Sequence, residues 1–519
     1  PIKVYEYMWR YYVVEGNKRV SVLKFFGAST IRANITRIIP QRNAEDPNMN
    51  LYYAFLKYDK KGLFKGIKMS RPENYDKLLS IERNIKLSDE ERQPSHLNSI
   101  FIQFVTALEQ LKIDLPVGDV MLQYLQLYGM PHGVVLSEIK NRVEDMLPQL
   151  KLISEPEIAT NILLEKQKEQ PGLMQRLFNI KRNAKVMFAY EEGLAENNWI
   201  GAHERGRRAV QEALSPQVQT MTLKDLNELN CYEALTKNAK DCDLVLVTST
   251  KLMNAALRFQ LENPDVLVLV YSRVRENAHL VTYYGRYYEA VFLCGVAAGF
   301  ASKNRKVAYI TPMLKNRHTT DVNAFALGVR TVSPYADVYV ISKDVLPDKP
   351  ETCMLGIKQA AELNVDVAMS PITDDIKLEN VPQDAFTAVF SMSETGKPER
   401  FLASPAWDWG RFYTEIVKSF LNGSLDYLRD INAQEASVTG LWWGFGTGVL
   451  KFRLADFLDP AAENLIRFLR SSIALSRFNP YHGPVTTKEG KLVITPQADL
   501  PPYEILNMEW IADFIQLVR

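Results

Sequence analysis

The chain has 519 residues, a net charge of +1, and 46% apolar and 24% charged side chains. That length exceeds one hydrophobic core, so two or three domains are expected. The charge balance excludes a broad field that would draw nucleic acid or a membrane, so any basic site must be local. No stretch reaches the ~18–20 apolar residues of a membrane-spanning helix. The four cysteines, Cys231, Cys242, Cys294 and Cys353, have no CxxC spacing and read as reduced, buried thiols. The six histidines are scattered and make no zinc signature, so no metal or other cofactor is expected.

The chain opens at Pro1 inside what reads as a structured element, so an upstream segment is expected. Trp9–Glu15 is aromatic and β-branched and predicts a strand. Gly16-Asn17 makes a turn. Lys18–Phe26 has helical spacing with Val20, Leu23 and Phe26 on one face, and Gly27 is a C-cap. Ile31–Ile39 alternates as a second strand and ends at Pro40. Residues 1–42 are therefore read as a strand–turn–helix–strand unit.

Residues 43–180 are read as a helical domain. Apolar residues recur at helical spacing in Ser99–Leu111, Val117–Leu127 and Leu136–Leu150. A charged connector, Glu165–Gln170, closes the domain at Pro171-Gly172.

Residues 181–519 alternate strands and helices. Short apolar strands are predicted at Lys185–Tyr190, Asp243–Thr248, Val266–Tyr271, Lys306–Ile310, Val338–Ile341, Val365–Ser370 and Thr387–Ser391. This is an α/β pattern of doubly wound sheet, long enough for two lobes. The densest segment is TYYGRYYEAVFLCGVAAGFASKNRKVAYITPMLKNRHTTDVNAFALGVRTVSP, Thr282 to Pro334. Its small residues (Gly295, Ala297, Ala298, Gly299) are expected to let a helix lie close on a sheet.

Ligands of open parallel sheets bind beyond the carboxyl ends of the strands, so those positions hold the candidates. After the first strand of this region come Asn198, Trp199 and His203. A Trp at a helix start can stack on a flat heterocycle, or pack the edge of its own lobe. Thr248, Ser249 and Thr250 end the second strand, where hydroxyls suit either polar ligand groups or an ordinary N-cap. Thr373, Asp374 and Asp375 follow Val365–Ser370 and could accept bonds from hydroxyl or amino groups, or cap a helix. Trp407, Trp442 and Gly444 lie in Trp-rich, Gly-flanked segments that allow close backbone approach or simple core filling. No phosphate-binding P-loop, nucleophile elbow or triad is present, so no catalytic residue is named and a binding protein is expected rather than an enzyme.

Residues 181–519 also resemble the basic membrane protein family of solute-binding proteins. The resemblance is carried by NWIGAHERGRRAV, TYYGRYYEAVFLCGVAAGF, VNAFALGVRTVSP, AWDWGRFY, WWGFGTGV and FNPYHGPV. It implies a type I periplasmic-binding-protein clamshell of two doubly wound lobes joined by crossing hinge strands. It also implies a small solute, often a purine base or nucleoside, held between the lobes. On that pattern Trp199 takes the place of the family's base-stacking aromatic, and Thr248–Thr250 fall near ligand contacts. Many members carry an Asp that grips ribose hydroxyls; this chain reads Phe390-Ser391-Met392-Ser393-Glu394 there, so the acid is Glu394 or missing.

The first unit, in VVEGNKRVSVLKFFGASTIRANITRIIP, resembles the second half of a ParB/sulfiredoxin-like domain. The resemblance implies that Gly16, Lys18 and Arg19 handle phosphates of nucleotide or DNA. Between Lys3 and Arg42 there are eight basic residues against two acids, which supports a phosphate partner or a solvated remnant. The whole chain then reads as an intracellular, cytoplasmic ligand-sensing regulator with a ParB-like unit and a helical domain ahead of the clamshell. The alternatives are an ABC-importer receptor, anchored outside the cell and partnered by a permease, and a nucleotide- or DNA-binding regulator.

Overall fold

A computed structural model describes residues 1–518 apart from 26–30, 32, 44–45, 86, 89–90, 132–135, 148–149, 151–159, 164–182, 192–198, 273–279, 312–316, 343–350, 374, 383–384, 424 and 426–437. Two compact units divide at Pro156/Glu157. The predicted connector Glu165–Gln170 lies outside the described residues.

The N-terminal unit opens with β1 (Ile2–Tyr7), β2 (Arg10–Glu15), α1 (Asn17–Phe25) and β3 (Ala33–Arg37). β1 is central, antiparallel to β2 and parallel to β3. Its alternating burial turns Ile2, Val4 and Glu6 inward. Glu6 is buried among donors: the Trp9 amide (2.8 Å), Arg37 Nε (2.6 Å) and the Tyr52 hydroxyl (3.0 Å). Tyr52 belongs to α2 (Pro47–Lys61), and Trp9 packs edge-on against it, so sheet and helices form one body. α3 (Pro72–Asn84), α4 (Pro94–Leu111), α5 (Val117–Tyr128) and α6 (Leu136–Asp145) complete the unit. α2 and α3, both started by proline, were not predicted. Their buried faces are rich in Tyr and polar atoms (Tyr52, Tyr58, Asn74, Tyr75, Glu82) and so blur the apolar period.

The C-terminal unit contains two seven-stranded sheets. The first, in spatial order, holds β4 (Thr160–Leu163), β15 (Val438–Trp443), β9 (Val281–Gly285), β8 (Leu267–Tyr271), β7 (Leu244–Val247), β5 (Ala184–Glu191) and β6 (Val218–Leu226), all parallel. The second holds β16 (Leu450–Leu454), β14 (Pro398–Trp407), β13 (Thr387–Met392), β12 (Val367–Pro371), β10 (Lys306–Thr311), β11 (Asp337–Ser342) and β19 (Ile515–Val518). Its β10, β11, β12 and β19 are parallel, while β13, β14 and β16 run antiparallel along one side. The seven predicted strands are all present. They read clearly because both faces are covered, which makes each strand a continuous apolar run such as Leu244–Val247.

The chain passes between the sheets three times. β9 of the first sheet leads into α10 (Tyr287–Ala301), which packs in the second core. β14 of the second sheet leads into α13 (Trp409–Leu421), which packs in the first. β15 returns through a short turn to β16. This is a periplasmic-binding-protein-like α/β fold.

α10 is buried from Tyr288 through Ala298. It lies against the second sheet as expected, and its glycines Gly295 and Gly299 also meet a second helix. A Cβ on Gly295 would stand 2.0 Å from the Phe325 carbonyl of α11 (Arg317–Val332), and one on Gly328 would stand 2.0 Å from the Phe292 carbonyl. The two backbones touch reciprocally, and no side chain fits between them. We expect Gly295→Val to lower the stability of the folded chain by ~1–3 kcal/mol, the usual cost of overpacking a filled core. Urea unfolding measures this, and an unchanged midpoint would contradict the close contact.

Candidate functional site

The carboxyl ends of the first sheet's strands carry an aromatic cluster. Trp199 starts α7 (Trp199–Leu214), half-buried, and its indole N–H donates to the Thr248 carbonyl at 3.0 Å. That bond pins the ring over the end of β7. Its edge contacts reach His203 one helical turn on (4.3 Å), Tyr271 at the end of β8 (4.7 Å) and Trp409 (5.4 Å). Trp407 stacks on Trp409 at 5.2 Å and lies parallel to Tyr287 at 6.4 Å. Tyr287, at the start of α10, shares a hydrogen bond with Thr387 of the second sheet (2.8 Å). The seam therefore runs from lobe to lobe. Trp407 packs against both cores, and Gly285 makes room for it, since a Cβ there would overlap the ring at 1.4 Å.

His203 is fully buried. Its Nδ1 meets the Tyr413 hydroxyl at 2.5 Å, and Tyr413 in turn meets Tyr283 at 3.1 Å. Among the described residues Nε2 has no partner. Burial pushes the imidazole well below its ordinary range, so the ring is neutral in the folded protein. His203 supports the cluster from behind and does not face solvent.

The strand-end hydroxyls are committed to the fold. Thr248 Oγ1 donates to the Ala189 carbonyl, Ser249 Oγ to Glu191 (2.5 Å), and Thr250 Oγ1 to the Tyr271 carbonyl. Lys251 closes on Glu191 at 2.5 Å. In the second lobe, Thr373 follows β12 half-buried, and its hydroxyl lacks a partner among the described residues. Asp375 is exposed. Asn198 and Asp374 lie outside the described residues.

Two groups of sequence candidates fall elsewhere. Trp442 is buried in the second core against Tyr288, and Gly444 gives space to Glu289, whose Oε2 would lie 2.3 Å from a Cβ. Neither joins the aromatic seam. Glu394 is also corrected as the sugar-gripping acid. β13 runs antiparallel to β12, with Pro371 opposite Thr387 and Val367 opposite Ser391. Glu394, exposed in the turn after β13, therefore stands at the far end of β12 from its carboxyl terminus. Asp321 of α11 is an acid whose charge, after burial, pushes up the Tyr287 hydroxyl of the seam. After burial itself, its charge is the largest influence pushing the Tyr309 hydroxyl up.

In the N-terminal unit, Lys18 and Arg19 are exposed on α1. Gly16 has a packing reason of its own: its φ is +106°, and a Cβ would strike Ile2 Cγ2 at 2.5 Å. All four cysteines are free and buried; burial pushes the Cys231 thiol up to about 12. Among the described residues no group of three or more His, Cys, Asp or Glu could hold a metal, and no helix is long and apolar enough to cross a membrane.

Tyr271, Tyr284, Tyr287 and Asp321 were not named from the sequence, and Trp409 only as the neighbour paired with Trp407. Tyr271 stood at a predicted strand end, and that rule alone could have found it. Trp409 reaches Trp199 only because β14 crosses between the lobes.

These features define a two-lobed solute-binding domain. Residues 183–434 match the family described as Bmp, ABC transporter substrate-binding protein PnrA-like. The chain is similar to a purine-binding protein of Brucella abortus, 23% identical over 311 residues, which span 59% of this chain and 85% of the relative. It is also similar to a Haloferax volcanii protein named as an ABC transporter glucose-binding protein, 24% identical over 302 residues, 55% of this chain and 69% of the relative. A solved solute-binding protein of an ABC transporter system from Conexibacter woesei aligns at 10% identity and a TM-score of 0.37, over 57% of this chain and 98% of that one. The match favours the alternative named above, a transporter substrate-binding protein, over the intracellular regulator. It does not extend to residues 1–182.

The neutral, buried His203 sets a pH dependence. Unfolding releases a ring that takes a proton near pH 6.5. Stability is therefore full above that value and is lost as the pH falls below it, toward the depressed folded-state pKa, by about 1.4 kcal/mol per unit. We expect His203→Phe to flatten this slope. Parallel denaturation curves at pH 7.5, 6.0 and 5.0 test it, and equal slopes in both proteins would contradict it.

Proposed function

We propose that the C-terminal unit binds a purine base or nucleoside between its two lobes without chemical change, as the extracytoplasmic receptor of an ABC importer. The observation that carries this reading is the aromatic seam at the strand ends. Trp199, Tyr271 and Tyr284 stand on the first lobe's side, and Trp407 and Tyr287 at the crossings into the second. Flat side chains offer area to the face of a heterocycle, and a few fixed polar groups then read its edge. On the second lobe's side, the Thr373 hydroxyl and the exposed Asp375 follow β12 and are the groups offered for this. The Brucella abortus relative named for purine binding supports the same ligand class. A permease is the expected partner of a receptor of this kind.

A sugar is the competing ligand, in line with the second relative. Hydroxyl recognition needs several side-chain donors and acceptors at the site. Here Thr248, Ser249 and Thr250 already donate within the fold. Calorimetry of the full chain against adenosine, guanosine, hypoxanthine, uridine, glucose and ribose decides between them. Purines are expected to bind saturably, and Trp199→Ala to weaken them roughly tenfold to a hundredfold, or ~1–3 kcal/mol for one lost stacking face. Saturable binding of glucose alone, or purine binding indifferent to Trp199, would overturn the assignment.

A further inference from the structure

A second cavity, of about 180 Å³, lies in the C-terminal unit where two of the crossings enter the second lobe. Arg286, Tyr288 and Glu289 line it from the β9–α10 crossing, and Trp442 from the end of β15. Segments following α14 (Pro460–Ala474) close it with Ser476, Phe478 and Asp499. Its walls are distinct from the seam. Trp442 and Tyr288 belong to the second core, whereas Trp199 packs against the first.

Three observations bear on what it holds. Trp442 lines the cavity and is 3% exposed, and among the described residues its buried indole N–H has no partner. A buried donor left unpaired costs ~1–3 kcal/mol, so an acceptor that reaches it is favoured. Second, the charges oppose an anion. Arg286 is neutralised by Glu289 at 3.0 Å, and Glu289 also holds the Phe445 amide at 2.8 Å. Asp499 adds a further carboxylate at the rim, where His482 meets it at 2.7 Å. Third, the walls alternate polar groups with Phe478, Pro480, Pro502 and Ile505. Carboxylates to accept hydroxyl protons, an indole N–H to donate, and apolar surface for C–H faces suit one class of compound.

We propose that this cavity binds a small neutral polyhydroxylated molecule, of glycerol to pentose size, independently of the cleft. The volume lies below the ~300 Å³ at which drug-sized pockets begin, which excludes a whole nucleoside. The hydroxyl hydrogens go to Asp499, and a hydroxyl oxygen accepts from Trp442 Nε1. Because Arg286 and Trp442 stand at the crossings, the occupant sits against the hinge.

The test follows the indole N–H resonances of the full chain by ¹H–¹⁵N NMR. The chain has seven tryptophans, and the Trp442 signal is the one that Trp442→Phe removes. Titration with glycerol and with ribose is expected to shift that signal saturably in the millimolar range. Acetate at equal concentration should leave it in place. Asp499→Asn, on an exposed side chain that leaves the core intact, should weaken the ribose response at least tenfold while adenosine binding by calorimetry is unchanged. If Trp442→Phe does not fold, ribose binding by calorimetry in wild type against Asp499→Asn carries the test alone. No response to any polyol, a response to acetate instead, or a ribose affinity that Asp499→Asn leaves unaltered would each overturn the proposal. The Trp442 resonance reports this cavity and separates it from the cleft, whether or not the cleft binds purines.

Discussion

The two lobes depend on one buried ion pair. Glu289 is 2% exposed and takes Arg286 on one oxygen and the Phe445 amide on the other. Arg286 also donates its backbone N–H to the Trp443 carbonyl at 2.8 Å. Two of the three crossings are thereby tied at the point where they leave the first sheet. Burial pushes the carboxyl up, and Arg286 and the amide hold it down. Removing one partner would strand the other's charge in the core, a cost far above that of a surface pair. Gly444 is part of the same arrangement, because any side chain there would displace the carboxylate. The register of these strands determines which residues face the cleft, so the seam inherits its geometry from this pair.

The seam is rigid at its back and open to adjustment at its front. Behind it, His203, Tyr413 and Tyr283 form a buried chain of polar contacts in which each hydroxyl or ring nitrogen holds the next. At the front, Trp199 and Tyr271 are half-buried. Trp407 bridges the two cores at the crossing, so any relative movement of the lobes must be taken up around it. A binding site of this kind keeps its stacking surface preorganised, which limits the ordering cost of capture. The strand-end hydroxyls contribute to that rigidity, since each closes on a neighbouring carbonyl or carboxylate of the same lobe.

The N-terminal unit follows different rules. Its local excess of basic residues is reduced by structure: Arg37 is paired with Glu6 and Asp59, Lys3 with Glu15, and Arg42 lies over Tyr53. Glu6, which counts as a lone acid in the sequence, turns out to organise the junction between the sheet and α2. Lys18 and Arg19 stay exposed, and the turn before them is shaped by packing against Ile2.

The sequence by itself determined seven strands of the two sheets. Leu244–Val247 and Leu267–Tyr271 are buried on both faces and could not carry polar residues. It also determined that Trp199 stands at a strand end, because the position follows from element order alone. It did not reveal β4, β6, β9, β14, β15, β16 or β19. β6 and β16 have mixed burial, and β9 sits in an unbroken run with α10 that reads as one helix. Only the tertiary structure decided which tryptophans share a site. Trp407 and Trp442 look equivalent in sequence, yet crossing strands send one into the seam and the other behind the hinge. It decided, too, that Glu394 lies at the wrong end of its strand, since the direction of β13 is set by its partner β12. Contacts between residues 130 or more apart, such as Tyr283 with Tyr413, leave no trace in local spacing. They exist because the chain crosses between its lobes.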